Sequence, residues 1–337
     1  MGRIMLLKES KKSVISLLIA ASVAVTGFIV SPAIAGEGNS QEINNDSRNW
    51  GTPASVITNT NDQRNYDLGE NSKFKNIQVF GAEVMPVRNV ATAASLTPLG
   101  SGNLVDHKGS VLNAVNIYSI FWGPSFATAN YQTDVNKFLK SLACSGSSCT
   151  GVSATVNQYF RGASETITVS GKTYVDASTP PSSAPSTGTI VSEAAKVVSA
   201  AKDTLDPNGL YFVFTSNFPS RANYCAWHGA GSAKIGTTTT SFAVAYMPYL
   251  GNMLSGCGAN YLPAYSKNTN PAVDSVVNVT THELFEAMTD SIISGNAWYD
   301  AKGYENGDKC AWNWSTTLSG YTVQQEYSNS KSNCAGS

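Results

Sequence analysis

The stretch DSVVNVTTHELFEAMTD, residues 274–290, decides how the rest of the chain is read. With Asp274 capping a helix, Val277, Thr281, Leu284 and Met288 fall on one stripe, while His282 and Glu286 stand one turn apart on a neighbouring face. That spacing lets two side chains of one helix grip one metal ion. Glu283 then occupies the place where a zinc peptidase keeps the general base that deprotonates metal-bound water. The pattern is His-Glu-x-x-Glu, with a carboxylate where such peptidases carry a second imidazole.

Downstream, the sequence supplies a third ligand. Glu305 follows Glu286 by 19 residues, close to the interval used by peptidases of the thermolysin type, and Asp308 stands near enough to support or replace it. The expected metal set is therefore His282, Glu286, Glu305 and Asp308. Zinc is the expected ion. An oxygen-rich shell also suits calcium or manganese, and a structural calcium site from Asp290, Asp300, Glu305 and Asp308 is the competing reading. The loop lacks the ligand spacing of an EF-hand. Of the three histidines, His228 is read as a further ligand, as a hydrogen-bond donor to a bound carbonyl, or as a buried structural residue, and His107 as a surface residue. Trp298, Trp312, Trp314 and Tyr327 are read either as the lining of a sugar or peptide groove or as core.

Working outward, Val111–Trp122 is dense in β-branched and aromatic residues and stops at Gly123-Pro124, which predicts a buried strand. Helical spacing covers Tyr131–Leu142 and Ile190–Leu205, with a short helix at Val156–Phe160. Glu165–Val175 alternates like a hairpin, and Leu210–Thr215 and Phe242–Tyr246 read as strands. Strands alternating with helices predict an α/β (α+β) fold: a mixed sheet with flanking helices, zincin-like in its layering and stabilised by disulfides.

The N-terminus carries Arg3, Lys8, Lys11 and Lys12, an apolar run from Val14 to Val30, and Ala33-Ile34-Ala35, the pattern of a secretory signal peptide over residues 1–35. No later stretch is apolar enough to span a bilayer, so the mature protein is expected outside the cell. Residues 36–104 are polar and read as a disordered leader or pro-segment, with the domain proper at 105–337. Six cysteines in an exported chain predict disulfides; of the fifteen pairings, short-range closure favours Cys144 with Cys149, Cys225 with Cys257 and Cys310 with Cys334. Charged residues make up 13% of the chain and the net charge is −1, which excludes an electrostatic footprint for nucleic acid. No phosphate loop, nucleophile elbow or free Cys/His pair is present.

The ordered set IYSIFWG (117–123), YCAWHG (224–229), HELFEAMTD (282–290), AWYD (297–300), ENGDKC (305–310) and VQQEYSN (323–329) resembles the exordium family, also called phosphate-induced proteins. The resemblance covers Val111 to Cys334 and departs from the family's helix motif at Ser291, where that family has proline. It implies a secreted protein, since the plant members lie in the apoplast and are linked to growth, and it implies no particular reaction. The motif itself points to a metallohydrolase cleaving peptide bonds, with Glu283 and His228 as catalytic residues. The alternative is a non-catalytic extracellular protein that binds cell-wall polysaccharide or a surface partner and uses its metal structurally.

Overall fold

The computed structural model describes residues 65–66, 77–86, 97–128, 130–220, 222, 224–258, 270–314 and 316–336. The strands are β1 (Asn65–Tyr66), β2 (Ile77–Pro86), β3 (Val105–Asp106), β4 (Ala114–Trp122), β5 (Cys144–Ser145), β6 (Thr166–Asp176), β7 (Gly209–Thr215), β8 (Tyr224–Ile235) and β9 (Thr238–Met247). All but β3 join one eight-stranded sheet in the order β1-β2-β8-β9-β7-β4-β6-β5. Its centre, β9-β7-β4-β6, is parallel. On one side β8, β2 and β1 continue it antiparallel, and β5 closes the other edge antiparallel. The result is a mixed α/β fold.

Parallel strands need both faces covered, and the central strand β7, GLYFVFT, is buried along its whole length. Leu210, Phe212 and Phe214 face one apolar cluster with α1 (Asn130–Ser141), α2 (Val152–Val156) and α4 (Pro271–Thr289). Tyr211 and Val213 face the other, against α3 (Thr187–Ala200). The alternation of side chains along a strand thus sorts two cores on either side of one sheet.

Three sequence expectations change. Residues 166–176 form one long strand rather than a hairpin, parallel to β4 with a register shift between Ile117 and Ser119. The segment YCAWHGAGSAKI, to which the sequence pattern assigns no element, is the strand β8. Its glycines serve packing: a Cβ on Gly229 would meet Gly81 O at 2.5 Å, and one on Gly231 would meet Gln78 O at 2.5 Å. Finally, residues 77–86 fall inside the proposed polar leader yet form β2, paired with β8 from Ile77↔Ala233 to Pro86↔Tyr224. Ile77, Val79 and Met85 are fully buried, so the boundary at 104/105 does not mark the start of the core. The segment 97–104 is fastened too: the Leu99 N–H donates to the Lys309 carbonyl and Lys309 Nζ donates back to the Leu99 carbonyl, and Asn329 accepts from the Leu104 N–H and donates to its carbonyl. The signal peptide at 1–35 lies outside the described residues.

The disulfides are Cys144–Cys149, Cys225–Cys257 and Cys310–Cys334, the three that short-range closure favours. They fit an oxidising, extracellular compartment. No described helix is long and apolar enough to cross a membrane.

Candidate metal centre

The cap of the helix α4, Asn270, lies four residues before the expected one. Asn270 accepts from the Ala272 N–H at 3.0 Å, Pro271 takes the first turn, where its missing N–H costs nothing, and Asp274 sits in that turn near the positive end of the dipole. From Ala272 to Thr289 every residue is buried, because the sheet covers one side of the helix and the C-terminal segments the other. The cover includes β12 (Tyr321–Val323), which pairs with β11 (Thr316–Leu318), after β10 (Trp298–Tyr299) has paired back to β3. Polar side chains on such a helix must find partners inside the protein.

They find one another. His282, Glu286 and Asp308 form one set of possible metal donors, and His228, Glu286 and Glu305 form a second; within each set the donor atoms lie within 4.8 Å of one another. In the first set, His282 Nε2 stands 3.1 Å from Glu286 Oε2 and 3.7 Å from Asp308 Oδ1. Glu286 Oε1 accepts the Asp308 N–H at 2.9 Å, which turns Oε2 inward. Gly307 is required here, since a Cβ would lie 2.8 Å from His282 Nδ1 and 2.9 Å from Glu286 Oε1. In the second set, His228 projects from β8, where it pairs across the ladder with Glu83 on β2. Its Nδ1 lies 3.6 Å from Glu286 Oε2 and its Nε2 3.9 Å from Glu305 Oε1.

Hydrogen-bond partners fix the direction of the His228 ring. Nε2 stands 3.3 Å from the Asp290 carbonyl, which only accepts, so Nε2 carries the proton of the neutral ring. The bare lone pair of Nδ1 then faces Glu283 Oε2 at 3.2 Å as well as Glu286. A lone pair and two carboxylates repel one another unless a proton or a cation lies among them. Donors bonded to one ion at 2.0–2.1 Å sit about 3.0–3.4 Å apart, a spacing that the shortest of these distances match.

Burial sharpens the point. Glu83, Glu283, Glu286, Asp290, Glu305, Asp308 and Glu326 are all at most 2% exposed. Burial first, then mutual repulsion, pushes Glu83, Glu283, Glu305, Asp308 and Glu326 well above the ordinary carboxylate range; burial alone raises Glu286, and Asp290 is pushed up to about 7. Burial also pushes His228 down to about 3 and His282 down to about 4. The one buried lysine among the described residues, Lys309, is committed elsewhere, to Asp300 Oδ2 and Leu99 O at 2.8 Å each. His282 Nε2, Glu283 Oε1, Glu286 Oε2, both Glu305 oxygens and Asp308 Oδ1 have no hydrogen-bond partner. Orphaned donors of this kind, gathered around a few points, suit a divalent cation, which would hold the carboxylates ionised and the imidazoles neutral.

The expected shell is therefore rearranged. Glu305 joins His228 rather than His282, Asp308 joins His282, and Glu286 belongs to both sets. Glu283 approaches His228 instead of standing free. The competing calcium set does not assemble, because Asp300 spends its carboxylate on Lys309 and on the N–H groups of Ser101, Lys302 and Tyr304. Asp290 likewise binds the Ala297 N–H at 2.8 Å. His107 is exposed and stacks on Tyr299 at 3.7 Å. Trp312 packs against Trp314 and Trp298 against Tyr159; Trp298 and Trp314 are half-buried at the edge of the larger core, and Tyr327 is 3% exposed. Sequence reasoning missed Glu83, hidden in the leader, and Gln324 and Glu326 in the VQQEYSN segment. Gln324 Nε2 contacts His282 Nδ1 at 3.0 Å and donates to Gly307 O at 2.8 Å.

Comparison with family models, curated proteins and solved structures finds no match.

Proposed function

We propose that the protein is an exported metalloprotein whose centre, built on α4, β8 and residues 305–308, holds a divalent ion, zinc in the first instance. What carries this reading is the set of buried, unpartnered nitrogen and oxygen atoms from His282, Glu286, Glu305 and Asp308, facing one another with no lysine or arginine of the described residues among them. Two imidazoles favour zinc over calcium, and the carboxylates admit manganese. Resemblance to the exordium family supports the location outside the cell, as do the disulfides.

Zinc bound here would supply a Lewis acid and a water acidic enough to attack a peptide carbonyl. The helix motif and its packing on a mixed sheet favour this zincin-like use. Glu283 follows a ligand directly and keeps Oε1 without a partner, as a proton acceptor for that water requires. His228 Nδ1 lies 3.2 Å from Glu283 Oε2, beside the proposed base. Glu283→Gln should abolish peptide cleavage while the metal content stays unchanged; cleavage that persists removes Glu283 from the chemistry.

A second reading has its own observation. Every donor is at most 2% exposed, and structural metal sites are closed whereas catalytic ones keep a position open. On this reading the ion stabilises a protein that binds cell-wall polysaccharide. Dialysis against a chelator should lower the melting temperature on either reading, and re-addition of zinc should restore it. A melting temperature indifferent to chelation, in a protein that carries no metal on elemental analysis, refutes the proposal.

A further inference from the structure

We infer that the centre is dinuclear, with Glu286 bridging two divalent ions, one held with His282 and Asp308 and the other with His228 and Glu305. The inference rests on the metalloprotein reading and extends it. The donors fall into two sets rather than one, and Glu286 is their common member. Its Oε1 is fixed by the Asp308 N–H, leaving Oε2 unpartnered between the two imidazoles, 3.1 Å from His282 Nε2 and 3.6 Å from His228 Nδ1. The imidazoles arrive from opposite walls, one from α4 and one from β8, so each side of that oxygen has its own histidine and its own further carboxylate.

Charge points the same way. Seven carboxylates are buried together: Glu83, Glu283, Glu286, Asp290, Glu305, Asp308 and Glu326. One divalent ion offsets two of them; two ions offset four and leave the remainder to protons and hydrogen bonds. Metal pairs in hydrolases stand about 3.5–4 Å apart, a gap that one shared carboxylate spans.

The test is metal stoichiometry on the full purified chain, by mass spectrometry after saturation with zinc or manganese. Wild type should carry two ions per chain. Asp308→Asn and Glu305→Gln should each carry one, with melting curves to show that both variants are folded. Spin coupling between two manganese ions in the wild type, which requires no variant, should appear in its electron paramagnetic resonance spectrum. One ion per chain at saturation overturns the dinuclear centre and leaves the metalloprotein reading standing. No ion at all overturns both. Two uncoupled ions that survive both substitutions lie elsewhere and also overturn the inference.

Discussion

Gln324 shows how much of the centre depends on single side chains that are not donors themselves. It is fully buried, its backbone N–H donates to Asn278 Oδ1 at 2.6 Å, and its side-chain Nε2 donates to Gly307 O and lies 3.0 Å from His282 Nδ1. A ligating imidazole donates its other ring N–H, so ligation of a metal through His282 Nε2 requires the Gln324 side-chain amide to turn its oxygen toward Nδ1. Gln324→Leu should therefore weaken metal binding by about 10–100-fold with little change in secondary structure, as measured by competition with a chromophoric chelator. Unchanged affinity would mean that His282 is oriented by packing alone. Far from the centre, Glu165 offers a pH test. It is 1% exposed, it accepts from Ser153 Oγ at 2.7 Å, and burial pushes its carboxyl from 4.5 up to about 7. Between those two values the folded protein keeps a proton that the unfolded chain has lost, so this group's contribution is full below 4.5 and is lost as pH rises through 7. Glu165→Gln should raise the melting temperature at pH 8 relative to wild type and do so less at pH 4, as followed by circular dichroism. An equal effect at both pH values would contradict the shift.

At the level of elements, the chain shows its helices and central strands plainly and conceals its flanking ones. β4, β7 and β9 are readable because strands buried on both faces are continuous runs of β-branched and aromatic residues. β8 is concealed because close contacts with β2 and α3 demand Gly229 and Gly231, which read locally as loop. The hairpin reading of 166–176 fails because alternation marks a half-buried strand equally well, and β6 lies one position from the sheet edge. For α4, Asp274 and Asn270 are both plausible caps, and Pro271 after Asn270 settles the choice. This helix also carries much of the core. Phe285 is fully buried within the larger apolar cluster, so Phe285→Ala should cost about 3–5 kcal/mol in denaturant unfolding. A loss below about 1 kcal/mol would show that the helix does not anchor the fold. Residues 305–308 are held in turn by Cys310–Cys334, a link over 24 residues. Replacing both cysteines with serine should cost about 3 kcal/mol and weaken metal binding as well. Lost stability with metal binding intact would separate the link from the centre.

Across the whole molecule, the sequence displays the donors of the candidate centre but not their grouping. His282, Glu286, Glu305 and Asp308 are visible from helical spacing and a downstream interval. Their division around Glu286 depends on β8 bringing His228 across from the sheet, a long-range contact that no local pattern encodes. Glu83 is hidden for a related reason: polar flanks mask the apolar run Ile77–Met85, whose place in the core depends on its long-range pairing with β8. A truncation that removes residues 1–96 takes β2 and Glu83 with it, exposes the edge of β8 and should aggregate, whereas removing residues 1–76 should leave a monomer that melts cooperatively. A stable, monomeric 97–337 fragment would show that β2 is dispensable. Buried donors on α4, β8 and residues 305–308 should hold metal, and anomalous X-ray scattering from crystals of the purified protein, recorded across the zinc and manganese absorption edges, locates any ion there. Two anomalous peaks are expected beside Glu286, one toward His282 and Asp308 and one toward His228 and Glu305. A pocket with no anomalous signal, in crystals grown with both metals present, would contradict this expectation.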